Sequence, residues 1–330
     1  MCLVFLSIST YAQDVHYSQR LVQDREKNPT FLQNFEGKWQ AYSAYRQQWA
    51  AVGKPFVTST AQVVRKFRQL SSPFQFFVAA GFTNDQSGDV NLTANHFALH
   101  FGGQYLSSYG TFEAALTNQF VGKSLNLNGV TFPEQYDRNI GGFNVNLANS
   151  ENLNSQSINY FNWNFGLAWS KQLNEAWQVR AGASVNNITE PQESFLGERS
   201  RKNRGYGVQL LAYNILKSSW RLEPYLAYYR AQKASELILG SALRLQTKKL
   251  GSVTSLSPFI YFRSGVSRTS DAFILGSRAQ LGVFDLGLSY DVNISELELA
   301  TQNRGGFEIS LFYTWDYAQL KERRVPCVRY

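Results

Sequence analysis

The stretch GVFDLGLSYDVNIS, residues 282 to 295, places Phe284, Leu286, Leu288, Tyr290 and Val292 on one parity and Asp285, Gly287, Ser289, Asp291 and Asn293 on the other. Successive side chains of a strand point to opposite faces, so this segment has one apolar face and one small or polar face. The apolar face must cover a soluble core or meet lipid. The alternation recurs along the chain. In NYFNWNFGLAWSK, Phe161, Trp163, Phe165, Leu167 and Trp169 share one face; in WQVRAGASVNN, Trp177, Val179, Ala181, Ala183 and Val185 do; in GFEISLFYTWDY, Phe307, Ile309, Leu311, Tyr313, Trp315 and Tyr317 do. These are dyad repeats of about ten residues, the pattern of transmembrane barrel strands.

The second parity separates the two readings. A soluble sandwich strand carries long charged residues outward, whereas here the alternate face is Gly, Ala, Ser and Asn with isolated Arg or Glu, which suits a crowded, hydrated lumen. Trp39, Tyr45, Trp163, Trp169, Trp177, Trp220, Tyr290 and Trp315 fall near strand ends on the apolar faces, as in the aromatic girdles of outer-membrane barrels.

Composition agrees. Aromatics make up 15% of the 330 residues and charged residues only 17%, with 8 Pro, a β-rich profile. No window reaches the ~18 uninterrupted apolar residues of a spanning helix. The net charge of +8 is dispersed apart from Lys321, Arg323 and Arg324, and no recognised nucleic-acid motif is present, so nucleic acid is not an expected partner. The start MCLVFLSISTYA reads as a signal peptide, residues 1–12, with Thr10 and Ala12 at the minus-three and minus-one positions, although no Lys or Arg precedes the apolar run. Its removal takes Cys2 away and leaves Cys327 unpaired, so no internal disulfide or cysteine metal site is expected.

Fourteen strands are expected, near 37–48, 56–68, 73–83, 93–103, 108–120, 157–171, 175–187, 203–216, 219–231, 234–247, 252–263, 269–280, 283–293 and 304–317. They form an all-β, antiparallel outer-membrane barrel over residues 37–317. An even number puts both ends on one side, with longer connections outside and shorter ones inside. Residues 13–36 and 318–330 are expected as periplasmic extensions. The long connection 121–156 is expected outside or folded into the lumen, with a short strand near 140–148.

Catalytic chemistry finds little support. His96 and His100 would share a strand face with Cα atoms about 13 Å apart at roughly 3.3 Å per residue, too far for one metal ion. A Ser-His-acid hydrolase would have to use these or His16, but no G-x-S-x-G, P-loop or dinucleotide motif is present. No catalytic, metal or cofactor site is expected. A diffusion porin is the main alternative function.

Several segments resemble the PorP/SprF family of type IX secretion and gliding proteins. DVHYSQ, with Tyr17, Ser18 and Gln19, followed by Asn28 and Pro29, is similar to the family's D-x-x-[FY]-S-Q...NP signature. YRQQW, with Tyr45, Arg46, Gln48 and Trp49, resembles its Y-R-x-Q-W. NNITEPQESF at 186–195, GLSYDVNISEL at 287–297 with Tyr290 and Asp291, GGFEISLFY at 305–313 with Glu308, and the end RRVPCVRY also match. Thr30-Phe31 stands where the family usually has Ala-Tyr, and Val328 replaces a final Pro.

The resemblance implies a non-enzymatic role in exporting and anchoring cell-surface proteins with a type B C-terminal domain, such as gliding adhesins. It also implies association with periplasmic, peptidoglycan-linked lipoproteins of the machine. Two local expectations follow. Arg323, Arg324, Val325, Pro326, Cys327 and Tyr330 form a tail that docks on a periplasmic partner, or else a frayed basic end. Asn293, Ser295, Glu296 and Glu298 begin an outside loop that meets an emerging substrate, or else a turn in which Asp291 and Asn293 satisfy local backbone groups.

Overall fold

Fourteen wall strands close on themselves through pairing of the first with the last, which sets Trp39 opposite Trp315 and Gln48 opposite Gly306. The structure is a computed structural model. It describes residues 15–50, 54–68, 72–87, 92–126, 131, 133–144, 146–147, 156–195, 200–217, 219–232, 234–250, 252–265, 270–295 and 302–315. The strands are β1 (Trp39–Gln48), β2 (Phe56–Arg68), β3 (Phe74–Ser87), β4 (Leu92–Ser107), β5 (Gly110–Ser124), the short pair β6 (Tyr136–Asp137) and β7 (Gly142–Phe143), then β8 (Ser157–Gln172), β9 (Trp177–Asn186), β10 (Gly205–Lys217), β11 (Trp220–Ala231), β12 (Ala234–Leu250), β13 (Val253–Ser264), β14 (Ser270–Leu281), β15 (Phe284–Asn293) and β16 (Arg304–Trp315). Each wall strand pairs antiparallel with its sequence neighbours, and β5 pairs with β8 across the insertion that carries β6 and β7. One helix, α1 (Arg20–Lys27), and a 3-10 turn over Pro29–Gln33 precede the wall.

The opening stretch resolves as lipid-facing alternation. Phe284, Leu288 and Tyr290 are exposed on the outer surface, while Ser289, Asp291 and Asn293 are buried inside. Phe161, Trp163, Phe165 and Leu167 likewise face out from β8, with Asn162 buried opposite them. An apolar exterior over buried polar side chains inverts the soluble arrangement and is stable only where the surroundings are as apolar as the side chains. The chain is an outer-membrane β-barrel.

Both ends of the wall lie at one rim, here the terminal rim, where the Trp39 and Trp315 rings stack 5.7 Å apart. Hairpins there are short; Gly282 turns between β14 and β15 with φ +61, a conformation that costs glycine little. The opposite, loop rim carries the long connections. The third and fifth strands run further towards this rim than expected, to Ser87 and Ser124, while the fourth starts near its expected place at Leu92 and runs on towards the terminal rim, to Ser107. Above the apolar band both faces are wet, so polar residues such as Asn84, Asp85 and Gln86 erase the alternation while the ladder continues. The expected short strand in the long connection is Gly142–Phe143, paired with Tyr136–Asp137.

Leu288 lies mid-strand on the lipid face. Leu288→Arg is expected to lower the unfolding free energy by ~2–4 kcal/mol in denaturant titrations of the bilayer-inserted barrel, whereas Leu288→Phe is expected to change it little.

Candidate functional site: a clasped segment in the lumen

The inner parity carries a set of charges, among them Arg46 on β1, Glu113 on β5, Arg180 on β9, Glu223 on β11, Arg263 on β13, Asp291 on β15 and Glu308 on β16, all buried. A buried charge needs a partner and further hydrogen bonds. Residues 15–35 supply many of them. Where the sequence reading expected a periplasmic extension, this segment is packed inside the barrel, and Tyr17, Val22 and Leu32 join Tyr42, Ala44, Val64, Phe77 and Phe312 in one buried cluster.

The strongest contact is a clasp built from the two ends of the chain. Arg46 Nη2 lies 2.8 Å from Asp291 Oδ2 and its Nη1 3.4 Å from Glu308 Oε2. Arg263 approaches the same Asp291 oxygen at 3.0 Å. Into this group the segment inserts Ser18 and Gln19. Glu308 accepts from the Ser18 amide at 2.6 Å and from the Gln19 amide at 3.2 Å. Ser18 Oγ donates to Asp291 and accepts from Arg46. Ser310 Oγ donates to Gln19 Oε1 at 2.6 Å, and the Gln19 amide group donates to the Glu308 carbonyl at 3.3 Å. A Cβ on Gly287 would meet Gln19 Oε1 and Ser310 Oγ, so a side chain here would have to push the Gln19–Ser310 bond aside.

Two further anchors follow along the segment. Asp24 accepts from Tyr225 Oη at 2.5 Å and from Tyr229 Oη at 3.3 Å. Asn28 caps the 3-10 turn, its Oδ1 accepting from the Thr30 amide at 3.1 Å, while its Nδ2 lies 3.3 Å from the Leu167 carbonyl, 3.2 Å from the Ala183 carbonyl and 3.1 Å from Gln209 Oε1. Gly166 beneath it leaves the room that a Cβ would take. Arg180 forms two bonds to Glu113, at 2.7 and 2.6 Å, donates to the Thr30 carbonyl at 3.2 Å, and lies 4.4 Å over the Phe31 ring. The Thr30-Phe31 departure from the family pattern is thus seated, with Thr30 Oγ1 bonded to Asn28. Eight residues are too few for a stable isolated helix, and Gln19 makes no side-chain cap, so α1 depends on this lumen.

Sequence-expected residues divide accordingly. Tyr17, Ser18, Gln19, Asn28, Pro29, Arg46, Asp291 and Glu308 meet in the lumen. Tyr45 and Tyr290 point outward from the wall. Gln48 ends β1, and Trp49, at φ 60, donates its amide to the Gly305 carbonyl at 3.3 Å. Asp291 serves the clasp, not a local turn, whereas Asn293 Oδ1 accepts the Ser295 amide at 3.0 Å in the turn-like manner. Glu296, Glu298 and the tail residues Arg323, Arg324, Val325, Pro326, Cys327 and Tyr330 lie outside the described residues. The family-like segment 186–195 folds against β5 and β8, where Glu193 pairs with Lys123 and accepts from Tyr160 Oη at 3.1 Å. His100, on the lumen face, bonds Thr117 at 2.8 Å, and no group of metal-ligating side chains occurs among the described residues. Glu113, Arg180, Glu223 and Arg263 were not singled out by motif; their signal was an isolated charge on an otherwise small, polar parity.

Burial raises the Asp24 carboxyl from its ordinary 3.8 to about 6, against the opposing pull of Arg20 and the two tyrosine hydroxyls. Burial also raises Glu26. A carboxyl whose pKa is higher when seated favours seating fully below its free pKa, near 4, and loses that contribution as pH rises through about 6. Seating of residues 15–35 is expected to strengthen between pH 7.5 and pH 4.5, with Asp24 contributing up to ~3 kcal/mol. Hydrogen exchange of the α1 amides checks this, and Asp24→Asn is expected to flatten the pH dependence. Arg46→Ala, which leaves Asp291 and Glu308 short of a buried partner, is expected to cost ~3–5 kcal/mol and to speed exchange at Ser18 and Gln19.

Among solved structures, the chain is similar to the deltaS2S3 mutant of the TodX monoaromatic hydrocarbon channel, at 9% identity and TM-score 0.52, covering 89% of this chain and 94% of that one. It is similar also to the CymD monoaromatic hydrocarbon channel, at 10% identity and TM-score 0.50, covering 89% and 92%. At such identity the likeness is one of fold. No curated protein matches the chain. Residues 9–313 match the family described as type IX secretion system membrane protein PorP/SprF. With nearly its whole length matched, and with signature residues from both ends meeting in one clasp, the chain belongs to the PorP/SprF family of type IX secretion system membrane proteins.

Proposed function

We propose that this protein is a non-enzymatic outer-membrane accessory of type IX secretion, supporting the export and surface anchoring of proteins with a type B C-terminal domain, gliding adhesins among them. The observation that carries this reading is the occupied lumen. Residues that make up the family signature are spent on holding a segment inside the barrel, which argues against a free diffusion path and moves the work to the two rims. By the usual orientation of such barrels the terminal rim is periplasmic and the loop rim external. The periplasmic rim then faces the lipoproteins of the machine, and the external rim faces the emerging surface protein.

Two segments are assigned to these contacts. The tail residues Arg323, Arg324, Val325, Pro326, Cys327 and Tyr330 combine forked donors with an aromatic anchor, a composition suited to docking on a periplasmic lipoprotein. The loop from Asn293 through Ser295, Glu296 and Glu298 follows in sequence shortly after Asp291, which the clasp pairs with Arg46.

The deciding experiment is mild-detergent purification of the tagged protein from its own outer membrane, with mass spectrometry of what stays bound. Recovery of a large surface protein or of periplasmic lipoproteins is expected; a clean barrel giving stable open-channel steps in a planar bilayer would make it a diffusion channel. Deleting residues 321–330 is expected to leave the barrel folded and remove the periplasmic partner. Substituting residues 294–303 is expected to lower surface display of the cognate protein without lowering barrel abundance.

A further inference from the structure

We propose that a cluster of guanidinium groups at the terminal mouth of the lumen is a docking site for an acidic peptide segment of a partner protein. The site is separate from the clasp and rests on its own geometry, so it stands or falls independently of the secretion reading.

Arg221 on β11 and Arg244 on β12 are paired directly opposite each other in the sheet, both on the inner parity. Like charges so placed repel unless something anionic lies between them. Among the described residues, a single carboxylate lies against both. Glu223 Oε1 lies 3.5 Å from Arg221 Nε and 3.9 Å from Arg244 Nε, while its Oε2 is already engaged by Arg20 at 3.1 Å. Arg278 on β14 adds a fourth guanidinium, paired with Asp285 and 5.6 Å from the Phe312 ring. Arg25 of α1 lies 5.0 Å over the same ring and 5.1 Å over Tyr42; among the described residues it has no carboxylate in ion-pair contact, and its buried Nη1 has no hydrogen-bond partner. Among the described residues, five guanidiniums thus face three carboxylates, counting Asp24 beside Arg20 at 3.8 Å.

The unsatisfied donors point to what is missing. Among the described residues, Arg20 Nε and Nη1, Arg244 Nε and Arg278 Nε are buried without a hydrogen-bond partner. Ser257 and Tyr261 line the same space as Arg20 and Arg278, around a residual cavity of about 20 Å³. That volume holds little more than one water molecule, so a ligand must enter from the mouth and not sit in a closed cage. The arginines grade from partly open to sealed along that route: the side chain is 34% exposed for Arg221, 25% for Arg244, 12% for Arg278 and 5% for Arg20. Cations spread over three wall strands and a helix, at graded depth and with aromatic rings between them, match a run of carboxylates on an extended chain better than one small ion. Arginine forks favour carboxylates in bidentate geometry.

The test uses the full chain in detergent micelles and fluorescein-labelled hexaglutamate, followed by fluorescence anisotropy at low and high salt. Saturable, salt-weakened binding is expected, with uncharged hexaglutamine inert as a competitor and inorganic phosphate competing only at far higher concentration. Arg221→Gln with Arg244→Gln is expected to weaken binding at least ~10-fold, since both remove charge-assisted bonds to the peptide. Arg230→Gln, on the outward face, is expected to leave it unchanged. The heat-dependent electrophoretic shift of an intact barrel checks folding; if the double variant fails it, the more exposed Arg221→Gln alone is read, with at least ~3-fold weakening expected. Absence of saturable binding, equal loss with Arg230→Gln, or displacement by phosphate at concentrations similar to the peptide's would overturn the proposal, the last by making this a small-anion site.

Discussion

Arg46 is the residue on which the rest of the interior depends. Its guanidinium touches two buried carboxylates from the far end of the chain, Asp291 and Glu308, and both of these also bind the N-terminal segment. None of these groups is tolerable alone in a space shut off from water, because desolvating an unpaired charge costs several kcal/mol. Together with the bonds from Ser18 and Gln19, each has partners on more than one side. A wall that needs its plug, and a plug that folds only against its wall, form one unit.

The same logic explains why the barrel carries so much charge inwards. In a two-sided membrane wall only the outer face is constrained by lipid, so Phe284, Leu288 and Tyr290 read as a uniform stripe. The inner face answers to whatever occupies the lumen. Glu113 with Arg180 receives Thr30, Phe31 and Gln33, while Tyr225 and Tyr229 receive Asp24. Bare glycine at 166 and 287 marks where the segment comes closest.

How much of this was legible follows from those two constraints. The lipid face has a period of two and a single chemical demand, so strands such as Phe56–Arg68 and Phe284–Asn293 could be bounded from sequence within a residue or so. The path of residues 15–35 could not. Its helix is short and polar, its partners lie up to 291 positions away in the chain, and nothing in YSQRLVQDREKNP itself distinguishes a lumen from a periplasm. The family resemblance picked out Ser18, Gln19, Arg46, Asp291 and Glu308 as members of separate motifs; only the closed barrel shows that they are one site. The isolated charges at Glu113, Arg180 and Glu223 were the available hint, since each takes a further partner from the segment, Gln33, Thr30 and Arg20 in turn.

The closing seam gives the clasp a further meaning. β1 and β16 join the first and last segments of the wall, and Arg46, Asp291 and Glu308 straddle that seam from β1, β15 and β16. Ser18 and Gln19 are therefore gripped by strands that become neighbours only when the cylinder shuts. The earliest residues of the described chain are held by the latest, and the segment lies as a bolt drawn across the join.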